Sequence, residues 1–293
     1  MMAAREVAAA ATVGETLAAA VARLDAAGVA EARANAEVLL AHALGTTRTG
    51  LVLLARRPIA DEAARRYASL VDRAAAREPV HYLVGEREFW SMPLAVDARV
   101  LIPRPVTELL VETALRVAPR ARRICDVGTG SGAIAAALAC ERPDATLWAS
   151  DCDRGALRVA RRNLSRHASR AMLVCADLVS AFRPGAFDLV VANLPYVSDV
   201  DLPALAPEVR DHEPRLALSG GPDGLSPLRR LVAEVSAVLA PGGWLALECG
   251  LGQAPGVLAA LAATGRFGEP MVVRDGDGIE RVIAAQTFSG RMR

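Results

Sequence analysis

Residues 190–199 read VVANLPYVSD, an apolar run that ends in Asn193, Leu194, Pro195 and Tyr196. An amide oxygen at Asn193 can accept one hydrogen from an amino or amide group. The backbone carbonyl of Leu194 can accept another, and Pro195 holds Leu194 extended by steric clash, which keeps that carbonyl in place. Tyr196 would then pack against the flat group so held. The same four residues could also form a plain turn after a buried strand.

A second cluster, DVGTGSG over residues 126–132, lies between an apolar stretch and a helical one. Gly128, Gly130 and Gly132 allow a sharp turn and close approach of a ligand to backbone next to a helix N-terminus, with Thr129 and Ser131 in the same loop. The loop also satisfies the permissive dinucleotide pattern, so by itself it leaves the ligand open. Asp126 narrows the choice: a carboxylate there repels a pyrophosphate and suits the cationic end of S-adenosylmethionine. Asp151, 23 positions after Gly128, closes the next strand, where an acid can bind ribose hydroxyls or cap the following helix. Asp177 closes the third strand, facing an adenine amino group or serving as a cap. At the end of the fourth strand Asn193 would face the reactive methyl group.

These residues need strands ending side by side, and the pattern supplies them. RICDV, TLWASD, MLVCAD, FDLVVA and WLALEC read as strands, separated by helical stretches such as AIAAALACE, GALRVARRNLSRH and PLRRLVAEVSAVLAPGG. GVLAALAAT adds a helix, and MVVRD and RVIAAQ complete the sheet. This alternation predicts an α/β fold with a doubly wound parallel sheet whose ligands sit at the strands' carboxyl ends. Ahead of it, residues 1–80 predict a small helical domain, residues 81–107 a connector with a β-hairpin around Met92 and Pro93, and residues 108–293 the α/β domain.

Composition excludes several classes. With 293 residues, 53% hydrophobic, and a mean hydropathy of +0.26, the chain suits a compact two-part protein. A net charge of +1, with all 34 cationic residues arginine, argues against a large nonspecific nucleic-acid footprint. The five cysteines contain no C-x-x-C pair, so neither a metal site nor a disulfide framework is indicated. Glu6 and Glu15 interrupt the alanine-rich start where a signal peptide is apolar, and no stretch is long enough to span a membrane. The expected setting is cytoplasmic, with reduced thiols. No histidine sits in a motif.

The motifs together resemble the bacterial peptide chain release factor glutamine methyltransferases of the HemK/PrmC type. EPVHYLVGEREFWSMPLAVDARVLIPRPVTELLVE, DVGTGSGAIA, FDLVVANLPYV, EPRLALSGGPDGL and RDGDGIERVI occur in the family's order. The resemblance implies a class I S-adenosylmethionine-dependent methyltransferase that methylates the glutamine side-chain amide of the Gly-Gly-Gln motif in class 1 release factors. It implies cofactor binding by Gly128, Thr129, Gly130, Ser131, Gly132, Asp151, Asp177, Leu178 and Asn193. Catalysis would fall to Asn193, Pro195 and Tyr196, with Leu194 joining them in holding the substrate. The helical domain would contact the release factor, and neither a stable nucleic-acid partner nor a membrane is implied. Three positions depart from the pattern: Leu194 and Leu178 replace a proline and a tryptophan, and Val106 replaces an aspartate. A ribosomal-protein glutamine methyltransferase shares this clamp of Asn193 to Tyr196, while N-L-P-Y also occurs in rRNA adenine dimethyltransferases, so an enzyme that methylates adenine amino groups on RNA or DNA is the other alternative. A nicotinamide oxidoreductase or a noncatalytic nucleotide-binding module is the reading from another class, against which Asp126 and the clamp count.

Overall fold

The computed structural model describes residues 11–167 and 170–289, so the reading of Glu6 falls outside the described residues. The chain divides into two compact units, Met1–Gly85 and Glu86–Arg293. In the first, helices α1 (Val13–Ala26), α2 (Ala32–Leu44), α3 (Arg48–Leu54), α4 (Asp61–Ala75) and α5 (Val80–Val84) enclose a core of their own. Thr12 and Glu15 form a reciprocal cap at the start of α1, which satisfies two of its free N–H groups. Leu24, Leu39, Leu40 and Tyr67 are fully buried, and the Tyr67 hydroxyl donates to the Ala36 carbonyl at 3.1 Å. Helices α3 and α5 are too short for the periodicity to reveal.

The second unit opens with the expected antiparallel hairpin, β1 (Glu86–Phe89) and β2 (Met92–Ala95). Its tight turn places Trp90 and Ser91 at positive φ. Then come α6 (Glu108–Val117), β3 (Arg123–Val127), α7 (Ala133–Glu141), β4 (Thr146–Asp151), α8 (Arg154–His167), β5 (Met172–Cys175) and β6 (Phe187–Ala192). The short α9 (Pro207–Arg210), α10 (Ser226–Val238), β7 (Leu239–Glu248), α11 (Ala254–Thr264), β8 (Met271–Arg274) and β9 (Glu280–Gln286) complete it. One seven-stranded sheet forms in the order β5-β4-β3-β6-β7-β9-β8.

Strands β3 to β7 pair in parallel, whereas β9 runs antiparallel to both β7 and β8. The sheet is therefore mixed at its last strands, because β8 and β9 are joined by a short turn and not by a crossover helix. A second difference concerns residues 239–243, expected to extend a helix. They begin β7 instead, since Pro241 cannot donate within a helix and clashes with the preceding turn. Leu189, Val190, Val191 and Ala192 of β6 are at most 1% exposed, as suits a central strand covered on both faces. Arg122 and Arg123 donate their backbone N–H groups to Asp188, and the Arg123 guanidinium pairs with the same carboxylate at 2.6 Å. Part of the arginine-rich 120–123 segment thus ties β3 to β6.

Candidate active site

Strand order reverses between β3 and β6, and two sequence motifs follow those two strands. Val127 pairs with Ala192, so the glycine loop after β3 and Asn193 after β6 emerge side by side at the sheet's carboxyl edge. That is where an open α/β sheet leaves a crevice. A cavity of about 280 Å³ opens there, lined among others by Thr107, Gly128, Gly130, Asp151, Asn193 and Leu194. Thr129, Ser131, Asp177, Leu178 and Pro195 also reach its wall, while Gly132 lies behind it at the start of α7.

The loop's geometry explains its glycines. Gly128 has φ +73°, and a Cβ there would stand 2.8 Å from Leu194 Cδ2. Leu194 therefore packs directly over this glycine. Gly130 has φ +54°, and the nearest atom to a Cβ there is 4.0 Å away, so its backbone faces open cavity. The N–H of Gly130 donates to Asp151 Oδ2 at 2.9 Å, while Asp151 Oδ1 accepts from the N–H of Asp153 at 2.9 Å. Asp151 thus both orients the loop and caps the following turn, and each oxygen keeps a lone pair for another donor. Burial raises its pKa, and these backbone donors counter that.

Asp126 is placed differently from the expectation. Its carboxylate is fully buried beneath the loop and does not line the cavity. Oδ2 accepts from the Thr129 hydroxyl at 2.6 Å and from the N–H of Ala135 at 3.2 Å, and Oδ1 has no partner. Burial pushes its pKa up to about 7, the two donors notwithstanding. Asp126 braces the turn from inside. Ser131 is braced too: its carbonyl accepts from Asn163 Nδ2, the amide that also exchanges two hydrogen bonds with Ala95 of β2.

Asp177 stands on the wall, with its Oδ2 paired to Arg230 at 2.8 Å. Leu178 is buried beside it at φ +50°, a backbone conformation uncommon for leucine. Asn193 donates from Nδ2 to the Thr107 hydroxyl at 3.2 Å, which leaves Oδ1 as its acceptor.

Tyr196 corrects the sequence expectation. It is not on the cavity wall. Its carbonyl accepts from Gln253 Nε2 at 2.7 Å, and a Cβ on Gly250 would touch its ring at 3.0 Å. Burial, with the nearby Glu248 carboxylate adding to it, raises the pKa of its hydroxyl to about 12. The ring packs beside Gly250 and not on the cavity wall.

Thr107, Glu248, Asn163 and Arg230 were missed from sequence. Thr107 sits in RPVTE beside Val106, where no local pattern singles it out. Glu248 carried a readable signal, a lone acid in the apolar run WLALEC, as did Asn163 on the apolar face of its helix. Arg104 and Glu213 were missed as well: Glu213 is buried, accepts from the N–H of Ile102, and pairs with Arg104 at 2.6 Å beside the cavity. Among the described residues no group of three His, Cys, Asp or Glu side chains could hold a metal ion. No helix of theirs is long and apolar enough to cross a membrane.

Comparison with known proteins bears on this geometry. A family model described as the PrmC N-terminal domain matches residues 15–85, and the methyltransferase small domain matches residues 105–209. The chain is 43% identical over 259 residues to release factor glutamine methyltransferase of Geobacter sulfurreducens, covering 88% of this chain and 91% of that one. It is 42% identical over 278 residues to the protein of the same name from Moorella thermoacetica, covering 94% and 98%. Among solved structures, a methyltransferase from Pyrococcus furiosus has a TM-score of 0.52 at 18% identity, covering 76% of this chain and 98% of that one. At that identity the likeness concerns the fold alone.

Proposed function

The chain belongs to the release factor glutamine methyltransferase family, and from that premise we propose that it methylates the glutamine side-chain amide in the Gly-Gly-Gln motif of a class 1 release factor, using S-adenosylmethionine. The observation that carries the reading is Asn193, on the cavity wall beside the glycine loop, with its nitrogen committed to Thr107 and its oxygen left to accept. The cavity's donor set fits the cofactor: Gly130 leaves open space beside its backbone, Asp151 keeps lone pairs for hydroxyls, and Leu178 offers an apolar wall.

S-adenosylmethionine, when bound, supplies an electrophilic methyl carbon on a sulfonium leaving group. Gly128, Thr129 and Gly130 would hold it by backbone, Asp151 through the ribose, and Asp177 and Leu178 around the base. An amide nitrogen is a poor nucleophile, because its lone pair is delocalised into the carbonyl. Asn193 Oδ1 and the Leu194 carbonyl would take one substrate N–H each and turn that lone pair outward. Orientation of this kind can contribute on the order of 7–11 kcal/mol. Both acceptors also stabilise the positive charge that develops on nitrogen. The proton becomes acidic as the new bond forms and leaves afterwards, so no general base is required.

The first unit, which the PrmC N-terminal model matches, would contact the release factor. The reaction would then belong in the cytoplasm, where translation ends. Incubation with methyl-labelled S-adenosylmethionine and, separately, a release factor, a ribosomal protein and RNA tests the reading. Mass spectrometry is expected to find one methyl group on the Gly-Gly-Gln glutamine. Label in RNA or in the ribosomal protein, with none on that glutamine, would overturn it.

A further inference from the structure

Glu248 ends β7 one residue beyond the Ala192–Leu247 pair, so continuing that register sets it beside Asn193, the first residue past β6. That places the acid next to Asn193, with Thr107 and Tyr196 also near it. It is 1% exposed. An acid so deep in an apolar sheet is costly unless donors surround it. Thr107, Tyr196 and Asn193 are the polar side chains near it and the Arg281 guanidinium adds positive charge; they offset part of the upward pull of burial, which still leaves its pKa raised. Its Oε2 still lacks a partner of good geometry, so the carboxylate remains short of donors.

We propose that Glu248 is a positioning residue: by accepting only, it holds the nitrogen side of the Asn193 amide and the Thr107 hydroxyl inward, so that Asn193 Oδ1 faces the cavity. The proposal rests on the reading of Asn193 as the substrate's acceptor. An asparagine amide is nearly symmetrical in shape, so its orientation is decided by its hydrogen-bond partners. The Thr107 hydroxyl accepts from Asn193 Nδ2, which leaves its own proton to turn toward the donor-poor carboxylate of Glu248. A flipped Asn193 would set its oxygen toward a carboxylate and compete with that carboxylate for the one Thr107 proton. A carboxylate at this position therefore selects one orientation of the clamp, and a neutral amide would not, because its NH2 can donate to a flipped Asn193.

Glu248→Gln preserves shape and tests the point directly. The full chain would be assayed in parallel on a release factor, a ribosomal protein and RNA, and the variants compared on whichever the wild type methylates. A wrong substrate assignment then shows as a change of acceptor and not as a failure of Glu248. Turnover is expected to fall about 100-fold, while calorimetry shows S-adenosylmethionine affinity within about twofold of wild type. Thr107→Val should reproduce the loss, and Thr107→Ser should recover it. Since Glu248 acts through Asn193, adding Glu248→Gln to Asn193→Ala should cost no more than about twofold beyond Asn193→Ala alone. Wild-type turnover in Glu248→Gln, additive losses in the double variant, or an equal loss of cofactor affinity would each overturn the proposal.

Discussion

At the residue scale, two carboxylates on neighbouring strands meet different surroundings. Asp151 ends β4 at the cavity wall, where its oxygens order the Gly130 and Asp153 backbone. Asp151→Ala should weaken S-adenosylmethionine binding by about 1.5–3 kcal/mol, the range for hydrogen bonds to a charged group. Full affinity by calorimetry would remove the ribose assignment. Asp126, by contrast, is sealed beneath the loop with its pKa raised by burial to about 7. In the unfolded chain it ionises near pH ~3.9. Its contribution to stability is thus fully present below that pH and is lost as pH rises toward about 7, because ionisation then favours the unfolded state. Asp126→Asn cannot ionise. Relative to wild type it should gain stability between about pH 4 and 7, by at most about 4 kcal/mol, and the difference should level off above. Urea unfolding of both proteins at several pH values measures this, and a difference independent of pH would refute the buried-acid assignment.

At the element scale, the glycine loop and the clamp are packed against each other through one side chain. Leu194 is 4% exposed and belongs to the core on this side of the sheet. Proline at 194 would remove part of that packing. Leu194→Pro should therefore keep methyl transfer while lowering stability by about 1–3 kcal/mol. The contact with Gly128 adds a coupling test. Gly128→Ala places a Cβ 2.8 Å from Leu194 Cδ2 in the native chain, and that clash is gone once Leu194 is proline. The stability cost of Gly128→Ala should then be smaller in the Leu194→Pro background than in wild type, by thermal melting of the four proteins. Equal costs would mean that the loop and clamp are energetically independent.

At the scale of the whole molecule, each unit has a hydrophobic core of its own, and every residue of the glycine loop and the clamp lies in the second. A fragment of residues 86–293 should fold and keep S-adenosylmethionine affinity near that of the full chain. Methylation of a whole release factor should drop steeply, through a higher KM, if the first unit supplies the docking surface. Calorimetry and steady-state kinetics on the fragment check both halves. Unchanged KM for the release factor would take the docking role away from the helical unit.

The sequence by itself determined the alternation of strands and helices, the hairpin around Met92 and Pro93, the glycine loop, and Asp151 and Asn193 as strand-end residues. These are local matters: hydrophobic period, turn chemistry and the intolerance of proline by helices act within a few residues. It left unread the antiparallel β9, the burial of Asp126, the ring position of Tyr196 and the set of Thr107, Asn193 and Glu248. Those depend on which strand lies beside which. Thr107 and Asn193 are 86 residues apart in the chain, and they meet through a hydrogen bond that exists only after the sheet has assembled. Whether an acid faces a ligand or braces a loop, and which way an amide points, follows from the donors and acceptors that packing brings around it, and no local pattern records them.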